Sequence, residues 1–299
     1  DINAYGGKGN LWFPHVYMTN QNPNDITGAN NMGRWDYGPW FWPPTTVAYQ
    51  PIPNPYYDPI NAQWEPPTIP VLPNPSQVPE SFADTPLING VAYPYLEVGQ
   101  KAYRFRILNC STERYWNLQL YYAKSKSGIM WNNDGTLNDA NVGEVNMVPA
   151  IPNAGYPESW PTDGREGGVP NPNSSGPEFI QIGNECGFIP APAVLPNTPI
   201  NYVYNRRDIT VLNVSNKTLF LGPGERADVI VDFSQVPDGS NIILYNDAPA
   251  PVPGFDPRLD FYTGSPDQTS TGGAPTTIPG YGANTSTIMQ FKVLKSHGQ

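Results

Sequence analysis

The sequence predicts an all-β, loop-rich globular protein, and three compositional facts carry that expectation. Proline (37) and glycine (28) together make up more than a fifth of the 299 residues. Proline lacks a backbone donor and fixes φ, and glycine costs a helix about 1 kcal/mol per residue, so long helices are excluded. Charged residues are only 14% of the chain, so the Glu, Lys and Arg that coat helix surfaces are scarce. Aromatic residues at 12% argue against disorder and supply anchors for a packed interior. The length suits one large β domain or two modest ones with a substantial core.

Residues 1–84 form the first block, with thirteen prolines between Pro39 and Pro79 and nine aromatics between Trp35 and Trp64. Proline at that density cannot make sheet interior and favours extended, PPII-like chain. Trp35, Tyr37, Trp40, Phe41 and Trp42 are large enough to hold such a segment against a surface. The block therefore reads as an arm that packs on the barrel that follows or on neighbouring domains, and these five rings are the interface candidates.

From residue 85 the pattern turns to period two. Tyr103, Phe105 and Ile107 alternate with Arg104 and Arg106; Trp116, Leu118 and Leu120 alternate with Asn117, Gln119 and Tyr121. Such alternation predicts half-buried strands. Further strands are expected over 179–183, 208–214, 218–221, 226–233, 241–246 and 286–293, separated by Gly, Pro, Asn and Asp clusters. The stretch of about 124–177 has weak periodicity and reads as a long insertion between two strands. A second Gly, Pro and Thr-rich excursion covers 254–284, and 294–299 is a polar tail. One domain over 85–293 is predicted, of Greek-key sandwich or barrel type.

The net charge of −10 repels phosphate backbones and anionic lipid, which excludes nucleic-acid and membrane-surface roles. No apolar run approaches the roughly 18 residues that span a bilayer. The opening DINAYGGKGN lacks an initiator Met and an apolar leader core, and reads as a mature or excised segment. Sequons at Asn109, Asn173, Asn213, Asn216 and Asn284 fit an extracytoplasmic surface, although a chain this rich in Asn, Ser and Thr generates several by chance. Two cysteines permit one disulfide or two free thiols.

The runs PLINGVAYPYLEV (86–98), YRFRILNCST (103–112), FIQIGNECGFIP (179–190) and LFLGPGERADVIVDF (219–233) resemble, in order, the middle domain of bacterial multicopper oxidases of the laccase and bilirubin-oxidase-like branch. LWFPHVYM (11–18) and ILYNDAPAPVPG (243–254) are similar to the flanks of that domain. The resemblance implies a cupredoxin-like Greek-key barrel and an extracytoplasmic setting. It also implies a place in chemistry that oxidises a reducing substrate at a type 1 copper and reduces dioxygen to water at a trinuclear cluster.

Those centres need two imidazoles with a thiolate and several His-x-His pairs. This chain has His15 and His297 and no His-x-His. The expectation is thus a non-copper-binding scaffold, with no catalytic, cofactor-binding or metal-binding residue of its own. Copper would belong to the assembled oxidase only, held by first and third cupredoxin domains present as covalent neighbours or separate chains. The alternative from another class is a redox-inactive cupredoxin-fold binding or assembly module.

Cys110 and Cys186 stand where the resemblance leads one to expect small residues. A bridge between them would close a loop of about 76 residues, worth roughly 4 to 5 kcal/mol by the chain-entropy argument. Glu225, Asp228 and Asp232 could be offered as glycosidase carboxylates, but alternation puts Ala227, Val229, Val231 and Phe233 on the core face and leaves Asp228 and Asp232 as outward, structural residues. NNDGTLND (132–139) fails as an EF-hand loop: with Gly135 at position six, Met130 and Asn141 fall where carboxylates are needed.

Overall fold

The structure, a computed structural model, describes residues 86–111, 114–125, 139, 141–185, 187–201, 214–215, 217–249, 260, 262–266, 276 and 284–295, residues 59–60, and the backbone of 52–53 and 68–69. Two units emerge: one of Asp1–Pro94, Ile129–Ala140 and Asp256–Ile288, the other of Tyr95–Gly128, Asn141–Phe255 and Met289–Gln299.

In the first unit β1 (Ile52–Pro53) pairs antiparallel with β2 (Thr68–Ile69). β3 (Leu87–Ile88) and β4 (Val91–Ala92) form a hairpin whose two-residue turn is Asn89–Gly90, with φ of 50° and 83°. Two successive positive φ values match the right-handed twist of a hairpin, and Asn-Gly tolerates them. The Tyr93 hydroxyl donates to the Asn284 carbonyl at 2.9 Å and accepts from the Asn284 N–H at 2.8 Å.

The second unit is built from two sheets. β6 (Ala102–Leu108), β10 (Phe179–Asn184), β11 (Gly187–Leu195) and β13 (Arg226–Asp232) form a four-stranded sheet in the order β11-β10-β13-β6. β5 (Tyr95–Val98), β7 (Trp116–Tyr122), β12 (Leu219–Leu221), β14 (Asn241–Asn246) and β15 (Thr287–Val293) form a five-stranded sheet in the order β12-β7-β14-β15-β5, in which β15 runs parallel to β5. β13 lies against β6 over seven residue pairs, from Arg226 opposite Leu108 to Asp232 opposite Ala102.

The alternation of β13 is the one expected: Ala227, Val229 and Val231 are buried, and Arg226, Ile230 and Asp232 face the other way. Between the sheets, Phe233 and Phe291 stand 5.4 Å apart and Phe105 meets Phe291 edge-on at 5.5 Å. Each such aliphatic or aromatic side chain taken fully out of water contributes about 1.5–3 kcal/mol.

Two expectations need correction. First, β7 is not half-buried: Asn117, Gln119 and Tyr121, on its polar face, are as inaccessible as Leu118 and Leu120. The insertion and the 195–200 segment supply the cover, since Val145 packs with Tyr121 and the Asn197 side chain accepts from the Leu120 N–H at 2.8 Å. Second, β11 was not expected as a strand, because Pro190 and Pro192 interrupt it. It lies at the edge of its sheet, where proline is tolerated, and its register against β10 shifts between Gln181 and Gly183. The expected strand over 208–214 falls mainly outside the described residues.

Over 141–177 the insertion is folded. β8 (Met147–Val148) pairs with β9 (Val169–Pro170), and Ala150, Trp160 and Val169 make a small core, with the Trp160 indole donating to the Pro170 carbonyl at 3.0 Å. Gly164, Gly167 and Gly168 all have positive φ. A Cβ at Gly168 would sit 2.2 Å from the Val148 carbonyl oxygen, so only glycine lets the loop close here.

Candidate functional site

The outer face of the four-stranded sheet combines apolar and cationic groups. The register sets Val194, Ile180, Ile230 and Arg104 in one row across four strands. Val194 in this row is 55% exposed, and on the same sheet Phe188 is 75% and Leu108 52% exposed. The Arg104 guanidinium lies over the Phe188 ring, 5.5 Å from its centroid, and its Nε donates to Asp228 Oδ1 at 2.8 Å. That hydrogen bond holds the Asp228 carboxyl below the usual carboxylate range. At the end of the face Arg226 pairs with Glu185.

Against the face of β7 that carries Asn117 and Gln119 a carboxylate is enclosed. Asp247, just after β14, has 6% of its side chain accessible. Its Oδ1 accepts from Asn117 Nδ2 at 2.6 Å and Gln119 Nε2 at 2.7 Å. Its Oδ2 accepts from the Ile200 N–H and lies 3.8 Å from Arg165 Nη1. Burial pushes the Asp247 carboxyl up to about 6, against the opposing pull of the Arg165 charge and the Ile200, Asn117 and Gln119 donors. Sequence reasoning did not single out this group. Its signal was polar residues at alternate positions of β7, which read as a solvent face.

The remaining expected site residues are placed as follows. Trp35, Tyr37, Trp40, Phe41 and Trp42 lie outside the described residues, as do His15, His297 and Cys186. Cys110 is exposed and its thiol is free. Asp228 is bound to Arg104 and Glu225 accepts from the Gly222 N–H, as structural residues do. Among the described residues no three His, Cys, Asp or Glu side chains converge as a metal site, and no helix is long and apolar enough to cross a membrane.

Comparison with known proteins agrees with the motifs. No protein-family model matches the chain. The chain is 28% identical to a laccase of Bacillus subtilis over 179 residues, covering 60% of this chain and 20% of the laccase. It is 25% identical to multicopper oxidase LPR1 of Arabidopsis thaliana over 198 residues, 66% of this chain and 20% of that protein. Among solved structures, the McoA multicopper oxidase of Aquifex aeolicus aligns with 71% of this chain and 25% of its own, at 20% identity and a TM-score of 0.35. The matched part of this chain thus spans about a fifth of the length of the curated relatives. The sequence relationships and the nearly all-β, two-sheet architecture make this chain similar to a cupredoxin domain of multicopper oxidases.

Proposed function

We propose that this chain serves as the non-copper-binding middle domain of a secreted multicopper oxidase, a scaffold whose outer sheet face docks on copper-bearing cupredoxin domains. The observation that carries the reading is the donor count: two histidines in 299 residues of a chain similar to copper oxidases. A type 1 centre takes two imidazoles and a thiolate, and a trinuclear cluster takes several more imidazoles, so this donor set does not fit either centre. The copper chemistry, oxidation of a reducing substrate coupled to reduction of dioxygen to water, then belongs to first and third domains supplied by other segments or chains.

The row of Val194, Ile180, Ile230 and Arg104 with Phe188 alongside supports a docking role. Arginine and aromatic side chains around an apolar centre are the composition that protein interfaces favour. The test is purification from the native setting, with copper and His-x-His-bearing segments assayed in the same fractions. Co-purification with such segments, weakened by Phe188→Asp without loss of the folded domain, supports the reading. A copper-free chain with no such partner contradicts it and favours a redox-inactive binding module.

A further inference from the structure

We propose that ionisation of Asp247 controls how firmly the 163–168 loop of the insertion is latched onto the five-stranded sheet. This inference stands on the geometry of the second unit and does not depend on the oxidase reading. Three segments distant in sequence meet at this one carboxylate. β7 sends Asn117 and Gln119, the 195–201 segment sends the Ile200 N–H, and the insertion sends Arg165.

Ile200 joins the last two, because its carbonyl also accepts from Arg165 Nη2 at 2.7 Å. Arg165 is aimed by its own loop: Asp163 accepts from Arg165 Nε at 2.9 Å and from Nη2 at 2.6 Å. Gly164, Gly167 and Gly168 supply the positive φ values that bring the loop round.

Each of these four contacts to Asp247 offers hydrogens and none offers a lone pair. The carboxylate therefore satisfies the site, whereas a neutral carboxyl turns its O–H toward donors. Asn117 Oδ1 is buried with no hydrogen-bond partner, so a flip of that amide gives the neutral acid an acceptor. The flip moves Nδ2 away from Asp247, and protonation removes the charge that attracts Arg165.

Among the described residues, the other ionisable groups facing this point are few. Arg114, next to β7, donates from Nη2 to the Ala248 carbonyl at 2.7 Å, and Tyr121 and Tyr245 lie on β7 and β14. Burial holds the Tyr121 hydroxyl well above its ordinary range, so it stays neutral. The 195–201 segment carries no charge. Arg165 lowers the Asp247 pKa. By reciprocity, proton binding must then weaken Arg165 docking by the same factor.

The test uses the whole chain. Hydrogen exchange at the Gly164 and Gly168 amides, which bond to the Ala150 and Arg165 carbonyls, reports the latch. After correction for intrinsic exchange and normalisation to β13 amides, protection is expected to fall about threefold or more from pH 7.5 to pH 5, and to be flat in Asp247→Asn. Unchanged protection in the parent chain, or the same fall in the variant, overturns the proposal. Should Asp247→Asn fail to fold, carboxyl NMR decides with Arg165→Gln. That variant is expected to raise the Asp247 midpoint by about half a unit, the equivalent of threefold, and an unmoved midpoint overturns the proposal.

Discussion

Phe105 of β6 and Phe291 of β15 meet edge to face across the two sheets, with ring centroids 5.5 Å apart. Phe291 is 4% exposed and also contacts Phe233. Truncation opens a cavity beside the Phe105 and Phe233 rings, and Phe291→Ala is expected to destabilise by about 3–5 kcal/mol. Urea unfolding measures it. A loss below about 1 kcal/mol would mean that the sheets do not pack through these rings.

Two carboxylates give opposite pH signatures. Asp228, held low by Arg104, contributes stability that is present above the ordinary carboxylate pKa and is lost as pH falls through its lowered value. Asp247 has a raised value, about 6 against 3.8, so the folded state binds its proton more tightly than the unfolded chain does. Its contribution therefore declines as pH rises from about 4 to 6, by about 3 kcal/mol in all. The stability difference between the parent chain and Asp247→Asn should follow that slope in urea melts across this window. A flat difference would mean that Asp247 titrates at an ordinary carboxylate value.

The sheet framework was legible in the sequence where one face of a strand is wet. β6 and β13 show clean alternation, and their expected positions agree with the structure to within a residue or two. β14 also lies where expected, although all six of its residues are buried. β11 was hidden because Pro190 and Pro192 cancel the strand signal, and only its edge position makes them admissible. The burial of β7 was hidden because the residues covering its polar face lie far along the chain. The Asp247 knot was illegible for the same reason: Asn117, Arg165 and Ile200 become neighbours only after folding. The donor shortage, in contrast, needed nothing but a count.

Asn109 and Asn173 differ sharply as glycan acceptors. Asn109 is 3% exposed and its Nδ2 donates to the Arg114 and Leu221 carbonyls at 2.8 and 3.0 Å. A sugar there removes one buried donor and has no room. Asn173 is exposed on the short 3-10 turn Pro172–Ser174. Secretion from a eukaryotic host, followed by glycosidase treatment and peptide mapping, should find sugar at Asn173 and none at Asn109. Sugar at Asn109 would contradict the buried role.

Cys110 is exposed and unbridged. It should react with a maleimide in the native protein without reductant. A chain whose two cysteines both resist labelling until reduction would instead carry the bridge to Cys186.

Copper loading of the purified 299-residue chain, followed by metal analysis and visible spectroscopy, tests the central claim most directly. The account predicts no stoichiometric copper and no thiolate-to-copper colour until segments rich in His-x-His are added. A blue chromophore, or one tightly held copper per isolated chain, would contradict it.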